Sequence, residues 1–169
     1  MLLKFRRPNI LQLNILANKA TIHFTIKHFD ELSSKEVYEL LLLREEVFQL
    51  EQNCLYKDID GKDIYCYHVL LYVNEELAAY TRIVPEGISY RDFVSIGRVV
   101  SSSKWRNEGM GRNVMQKTME VMDELFPNQD IKISAQAYLQ KFYEDFGFVK
   151  ISEPYLEDDI PHIAMVYKK

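Results

Sequence analysis

The chain has 169 residues, 47% of them hydrophobic and 27% charged, with a formal net charge of −4. That length suffices for one domain with a proper core, and the acidic balance disfavours general binding to nucleic acid or to anionic membranes. The two cysteines, Cys54 and Cys66, fit no zinc spacing and make no disulfide framework, so they read as reduced thiols of a cytoplasmic protein.

Residues 1–20 read as an N-terminal extension of unknown structure. Lys4, Arg6 and Arg7 are basic, but Pro8, Asn9, Gln12 and Asn14 interrupt the apolar stretch, so neither a signal peptide nor a transmembrane run is expected. The alternation of Ile22, Phe24 and Ile26 predicts a half-buried strand over 21–27. Ser33 followed by Glu36 is a capping-box signal, and Val37, Leu40, Leu41, Val47 and Phe48 continue at helical spacing. Residues 51–66 are polar and turn-rich. Strands are predicted at 68–73 and 77–84, joined by a hairpin turn at Asn74-Glu75-Glu76, with a further strand at 94–101. Met110, Val114, Val121 and Leu125 form the stripe of a helix over 109–126, stopped by Pro127. A buried strand at 131–135, a helix marked by Leu139, Phe142, Tyr143 and Phe146 and closed by Gly147, and strands at 149–151 and 163–167 complete the order. Tyr155–Asp159 is acidic and reads first as a solvated loop, second as a screen for a cationic amine. No repeat or linker divides residues 21–169, so one α/β domain with a mixed sheet is expected, containing a right-handed βαβ crossover from strand 94–101 to strand 131–135.

The stretch Arg106-Asn107-Glu108-Gly109-Met110-Gly111 carries the most chemistry. It follows a strand and a Ser-rich turn and opens a helix, where bare backbone amides and the helix dipole favour an anion. Lys104, Arg106, Arg112 and Lys117 cluster about it. A dinucleotide site fits poorly, because Val114 stands at the third glycine position. The nucleotide P-loop motif G-x-x-x-x-G-K-[ST] is absent. The run Asp58-Ile59-Asp60-Gly61-Lys62-Asp63 fails as a calcium loop, since its glycine is misplaced and Val69 stands where the bidentate glutamate belongs. No metal is expected.

Arg106 to Gly111 matches [QR]-x-x-G-x-[GA], and Leu139 to Phe148 contains a Y-x-x-x-G-F segment after the next strand. These residues resemble the acetyl-CoA signature of the GNAT N-acetyltransferase superfamily. Glu51-Gln52-Asn53-Cys54, Asp58-Ile59-Asp60-Gly61, Ile96-Gly97-Arg98-Val99, Ala135-Gln136-Ala137 and Ile160-Pro161-His162-Ile163 resemble its ElaA-like branch. The resemblance spans residues 21–167.

It implies a GNAT acyl-CoA N-acyltransferase fold: a mixed central sheet with a splayed parallel strand pair, flanked by helices. The cosubstrate implied is acetyl-CoA. Its pyrophosphate would lie on Arg106, Asn107, Glu108, Gly109, Met110, Gly111 and Arg112, and its pantetheine along the backbone of Val99, Val100 and Ser101. The reaction implied is direct acetyl transfer to a primary amine of a small molecule or peptide. Tyr143 takes the position of the acid that protonates the leaving thiolate, with core packing beside Phe142 and Phe146 as its plainer role. Glu51, His68 and His162 are candidates for the base, each with a plainer structural role. Arg98, a charge in mid-strand, is costly unless paired. It is therefore expected on the substrate side, orienting a carboxylate of protein or substrate. A non-catalytic acyl-CoA-binding or regulatory module on the same fold is the alternative. The expected partners are an amine substrate and, through an edge strand at 163–167, a second copy of the chain.

Overall fold

The computed structural model describes residues 20–52 and 56–169. The extension expected at 1–20 thus lies, Ala20 apart, outside the described residues, as do Asn53 and Cys54. Four antiparallel strands form the first half of the molecule in spatial order β1 (Ile22–His28), β2 (Tyr67–Val73), β3 (Glu76–Val84) and β4 (Ser95–Ser101). The β2–β3 turn is Asn74-Glu75, both left-handed (φ 50° and 64°), the geometry of a two-residue turn that matches strand twist. The second half is β5 (Ile131–Gln136), β8 (Ile160–Tyr167) and β6 (Val149–Lys150), with β7 (Tyr155–Glu157) also on β8.

The sheet is covered on both faces, which is why β2 reads as an apolar run from Val69 to Val73. Val69, Leu71 and Val73 face helix α2 (Met110–Leu125) and join one core with Val114, Met115 and Met122. Leu70 and Tyr72 face the other way, with Tyr80 and Val100, onto Leu40, Leu43 and Val47. Leu40 and Leu43 belong to helix α1 (Ser34–Arg44), whose start is the capping box Ser33/Glu36. Burying each such side chain contributes about 1.5–3 kcal/mol.

Several expectations change. The helix after Ser33 is α-helical only to Arg44 and winds as a π-helix over Glu45–Glu51, closed by Gln52 N–H donating to Val47 O (3.2 Å). The helix near Tyr143 is short, α3 (Gln140–Glu144). The acidic run is a hairpin rather than a loop. β7 pairs with β8 from Tyr155↔His162 to Glu157↔Ile160, and Asp158-Asp159 supplies a left-handed pair (φ 50° and 61°) that Asp tolerates. Strand 163–167 is no edge: β8 is paired by β5 on one side and by β6 and β7 on the other. A homodimer formed through that strand therefore lacks its expected basis.

Gly147 closes α3 with φ +90°, and a Cβ there would stand 3.1 Å from the Tyr167 ring. A Gly147→Ala variant is expected to lose more than about 1 kcal/mol in urea unfolding, from strain and crowding together.

Candidate active site

The parallel neighbours β4 and β5 touch at one end only. Val94 and Ile131 form a parallel bridge, with Lys132 N–H donating to Val94 O (3.0 Å). Beyond it the two strands belong to separate ladders. A cleft of about 580 Å³ opens where they part, lined by Val99, Val100 and Ser101 on one side and Ser134 and Gln136 on the other.

β4 carries a bulge at this point. Its pairing with β3 slips between Tyr80↔Val100 and Arg82↔Gly97, so Arg98 and Val99 together oppose Thr81. Arg98 is left-handed (φ 52°), a backbone state that costs a non-glycine residue about 1–3 kcal/mol unless its surroundings hold it. A bulge of this kind leaves one residue's backbone out of the ladder.

The surroundings are a closed ring of alternating charge. Asp58 accepts from Arg44 Nε (2.8 Å) and Arg98 Nε (2.7 Å), and its carbonyl accepts from Nη2 of both arginines (3.0 Å each). Asp60 takes Arg82 through both carboxylate oxygens (2.8 and 2.7 Å) and reaches Arg98 at 3.5 Å. Asp63 accepts from Arg44 and Arg82 (2.8 Å each) and closes the ring. Arg44 is fully buried and Arg82 nearly so. Burial pushes the Asp60 and Asp63 carboxyls up, but hydrogen bonds and charge outweigh it and hold both below the ordinary range: Arg82 and the Lys62 amide, with Arg98, at Asp60, and Arg44 and Arg82 at Asp63. The carboxylates of the rejected calcium motif thus serve arginines. Among the described residues no group of three or more His, Cys, Asp or Glu is placed to hold a metal ion.

The remaining predicted residues divide. Tyr143 is buried but lines the cleft, wedged edge-on between Phe142 and Phe148. Its hydroxyl makes no hydrogen bond among the described residues, and burial raises its pKa well above the ordinary phenol value. His162 also lines the cleft. Its Nδ1 lies 2.8 Å from Ile160 O; a carbonyl only accepts, so Nδ1 carries a proton, and in the neutral imidazole Nε2 is then the acceptor. Glu51, carried to the cleft by the π-helix, is ion-paired with Arg106 at 2.5 Å.

His68 is elsewhere. It is fully buried, with Nε2 donating to Asp63 O (3.0 Å) and Nδ1 accepting from Tyr80 Oη (2.8 Å). Burial lowers its pKa to about 4. Both nitrogens are engaged away from the cleft, so the structure does not bring His68 to the other candidates. Cys66 is also buried, and burial pushes its thiol up to about 11, which makes it inert.

In the loop expected to hold a phosphate, Asn107 (φ 67°) and Gly109 (φ 79°) are left-handed. Asn is the side chain that best tolerates that state after glycine, so Asn107 fits its position. The Gly109 Cβ position is open space for 4 Å. The first helical bond of α2 is Asn113 N–H to Gly109 O (2.9 Å), so the amides of Met110, Gly111 and Arg112 have no partner within the helix. Arg106 lines the cleft, whereas Asn107 to Arg112 lie off its wall. Arg112 pairs with Asp145 (2.9 Å) and stacks over Phe142 and Phe146. Lys104 pairs with Glu76, and Lys117 with Glu120.

The sequence reading did not single out Arg44 and Arg82 in the ring, or Phe48, Tyr56, Ser134 and Tyr138 on the cleft wall, whereas Glu157 and Asp158 of the acidic run do line the cleft. For Arg44 a signal existed: it stands four residues after Leu40 and three before Val47, on the buried stripe of α1.

A family model described as "Acetyltransferase (GNAT) domain" matches residues 29–169. The chain belongs to the GNAT acetyltransferase family. The curated Protein ElaA of Escherichia coli (strain K12) is 45% identical over 140 residues, covering 82% of this chain and 91% of that protein. Among solved structures, an acyl-CoA N-acyltransferase from Pseudomonas aeruginosa is 41% identical with a TM-score of 0.82, over 86% of this chain and 99% of its own. Escherichia coli ElaA superposes with a TM-score of 0.81 at 42% identity, over 87% of this chain and 99% of its own. The chain is a GNAT acyltransferase of the ElaA-like branch. No helix among the described residues is long and apolar enough to cross a membrane.

Proposed function

We propose that this GNAT protein transfers the acetyl group of acetyl-CoA directly to a primary amine of a small molecule or peptide. The observation that carries the reading is convergence: the β4 bulge, Tyr143 and His162 border one cleft between the splayed strands. The residues suit the cosubstrate. The bare amides at α2, with open space beside Gly109, would hold the pyrophosphate, and the backbone of Val99, Val100 and Ser101 would pair with the pantetheine.

The thioester supplies the acetyl group. Around it, a backbone N–H of the bulge near Val99 or Val100 faces the carbonyl oxygen, where negative charge develops. His162 Nε2 takes the proton that the amine must lose as its bond to carbon forms. Tyr143 Oη gives a proton to the sulfur as the carbon–sulfur bond breaks. Of the two remaining base candidates, Glu51 is the poorer, because its carboxylate is already engaged by Arg106.

Two outcomes are expected. Acetyl-CoA at about a hundred times its Kd raises Tm by roughly 5–10 °C, whereas NAD(H) leaves it unchanged. With a competent amine, His162→Gln lowers kcat by about 10²-fold, more than Glu51→Gln does, and leaves the KM for acetyl-CoA in place. A larger kcat loss in Glu51→Gln would assign the base to Glu51 instead.

A further inference from the structure

We infer that the ring Arg44–Asp58–Arg98–Asp60–Arg82–Asp63 is a positioning device for acyl transfer, holding the Arg98 bulge left-handed so that a released β4 amide faces the thioester. The inference rests on the acetyl-transfer reading of the cleft. Its starting point is a mismatch between residue type and backbone. The left-handed residue of the bulge is Arg98, whereas the glycine that would adopt φ 52° without strain stands one position earlier, at Gly97. A long side chain at a left-handed position persists only where its surroundings over-determine it.

The ring supplies that constraint from both strands of the bulge and from outside the sheet. Arg98 spends Nε and Nη2 on the carboxylate and the carbonyl of Asp58, two bonds that fix its direction as well as its charge. Arg82 is the β3 partner of Gly97, so the strand facing the bulge is tied to the same ring through Asp60 and Asp63. Arg44 anchors Asp58 and Asp63 from the end of α1, with no exposure to water. Thr81, opposite the bulge, is itself pinned by Thr118 of α2 (2.6 Å). Tyr56 covers the guanidinium of Arg98 at 5.5 Å. Although Arg98 borders the cleft, its Nε and Nη2 are committed to Asp58 and Asp60, and its role in this proposal is exerted through the backbone it holds rather than by touching substrate.

The test exploits the one residue that tolerates a left-handed backbone without help. Arg98→Ala and Arg98→Gly both delete the side chain, but only glycine keeps the bulge unstrained. Each is compared with wild type for kcat, for the KM of acetyl-CoA, and for the ratio of acetyl-CoA to CoA affinity by calorimetry. The expected result is that Arg98→Ala lowers kcat by roughly tenfold more than Arg98→Gly, with similar KM values, and that Arg98→Ala alone loses the preference for acetyl-CoA over CoA. Equal losses in both would overturn the inference and make Arg98 a substrate contact. No loss in either would overturn it by making the ring purely structural. Should Arg98→Ala fail to fold, Asp58→Asn is measured alone and combined with Arg98→Gly, and the glycine is expected to recover activity. A wild type that acetylates no amine would overturn the acetyl-transfer reading, while the affinity ratios of the Ala and Gly variants still decide the ring.

Discussion

Replacing Tyr143 with phenylalanine is expected to lower kcat by about 10²-fold or more while leaving both acetyl-CoA affinity and Tm close to wild type. The expectation follows from what the hydroxyl does not do. It makes no hydrogen bond among the described residues, so its loss leaves no buried partner unsatisfied. The ring, which packs edge-on at 5.1 Å from Phe142 and 6.0 Å from Phe148, is the same in phenylalanine. Burial keeps the phenol protonated at any ordinary pH, which is the state a proton donor needs. Steady-state kinetics beside a thermal-shift titration with acetyl-CoA checks the expectation. A Tyr143→Phe enzyme with undiminished kcat would return Tyr143 to the core.

Replacing Arg44 with methionine is expected to destabilise the fold by about 3–5 kcal/mol, a fall in Tm of roughly 10 °C or more. Methionine fills much of the space, so the loss is electrostatic. Asp58 and Asp63 each keep one arginine, but three carboxylates, two of them buried, then face two guanidinium groups. Wild-type stability is also expected to fall in acid, in two stages. His68 is neutral in the fold with a pKa of about 4, well below its ordinary value of 6.5. Its contribution is therefore complete above about pH 6.5 and is lost as pH falls toward 4. Asp60 and Asp63 are held below the ordinary carboxylate range. Their contribution is complete above about pH 4 and is lost as pH falls through their folded values. Urea unfolding of both proteins from pH 8 to pH 3 checks this. The gap between Arg44→Met and wild type narrows at the acid end, because protonating a ring carboxylate relieves the uncompensated charge.

Much of the fold was legible because its signals are local. The Ser33/Glu36 cap, the Asn74-Glu75 turn and the stripe of α2 each need only a few neighbouring residues to make physical sense, and each formed where the pattern put it. The parting of β4 from β5 followed from the family resemblance rather than from pattern. The hairpin at Tyr155–Ile160 was hidden by its charge. Asp158-Asp159 reads as a solvated loop, although the same two aspartates suit a left-handed turn. The ring was illegible for a different reason. Its bonds span 14 to 40 residues, and Asp58, Asp60 and Asp63 look like turn formers until Arg44, Arg82 and Arg98 arrive from three other elements. Arg98 was expected beside a carboxylate, but which one depends on tertiary packing alone. His68 shows the converse: its residue type suggested chemistry, while its place on the doubly covered strand β2 gave it a carbonyl and a tyrosine instead.

Transfer of an acetyl group from CoA to an amine in the cleft between β4 and β5 is the proposal on which the rest depends. The measurement that tests it most directly is mass spectrometry of a broad amine set incubated with the wild-type protein and acetyl-CoA, with free CoA quantified in the same samples. At least one amine is expected to carry a new N-acetyl group in one-to-one proportion with CoA released. Tight binding of acetyl-CoA with no acetylated amine in the set would contradict it and leave a binding module on a transferase fold.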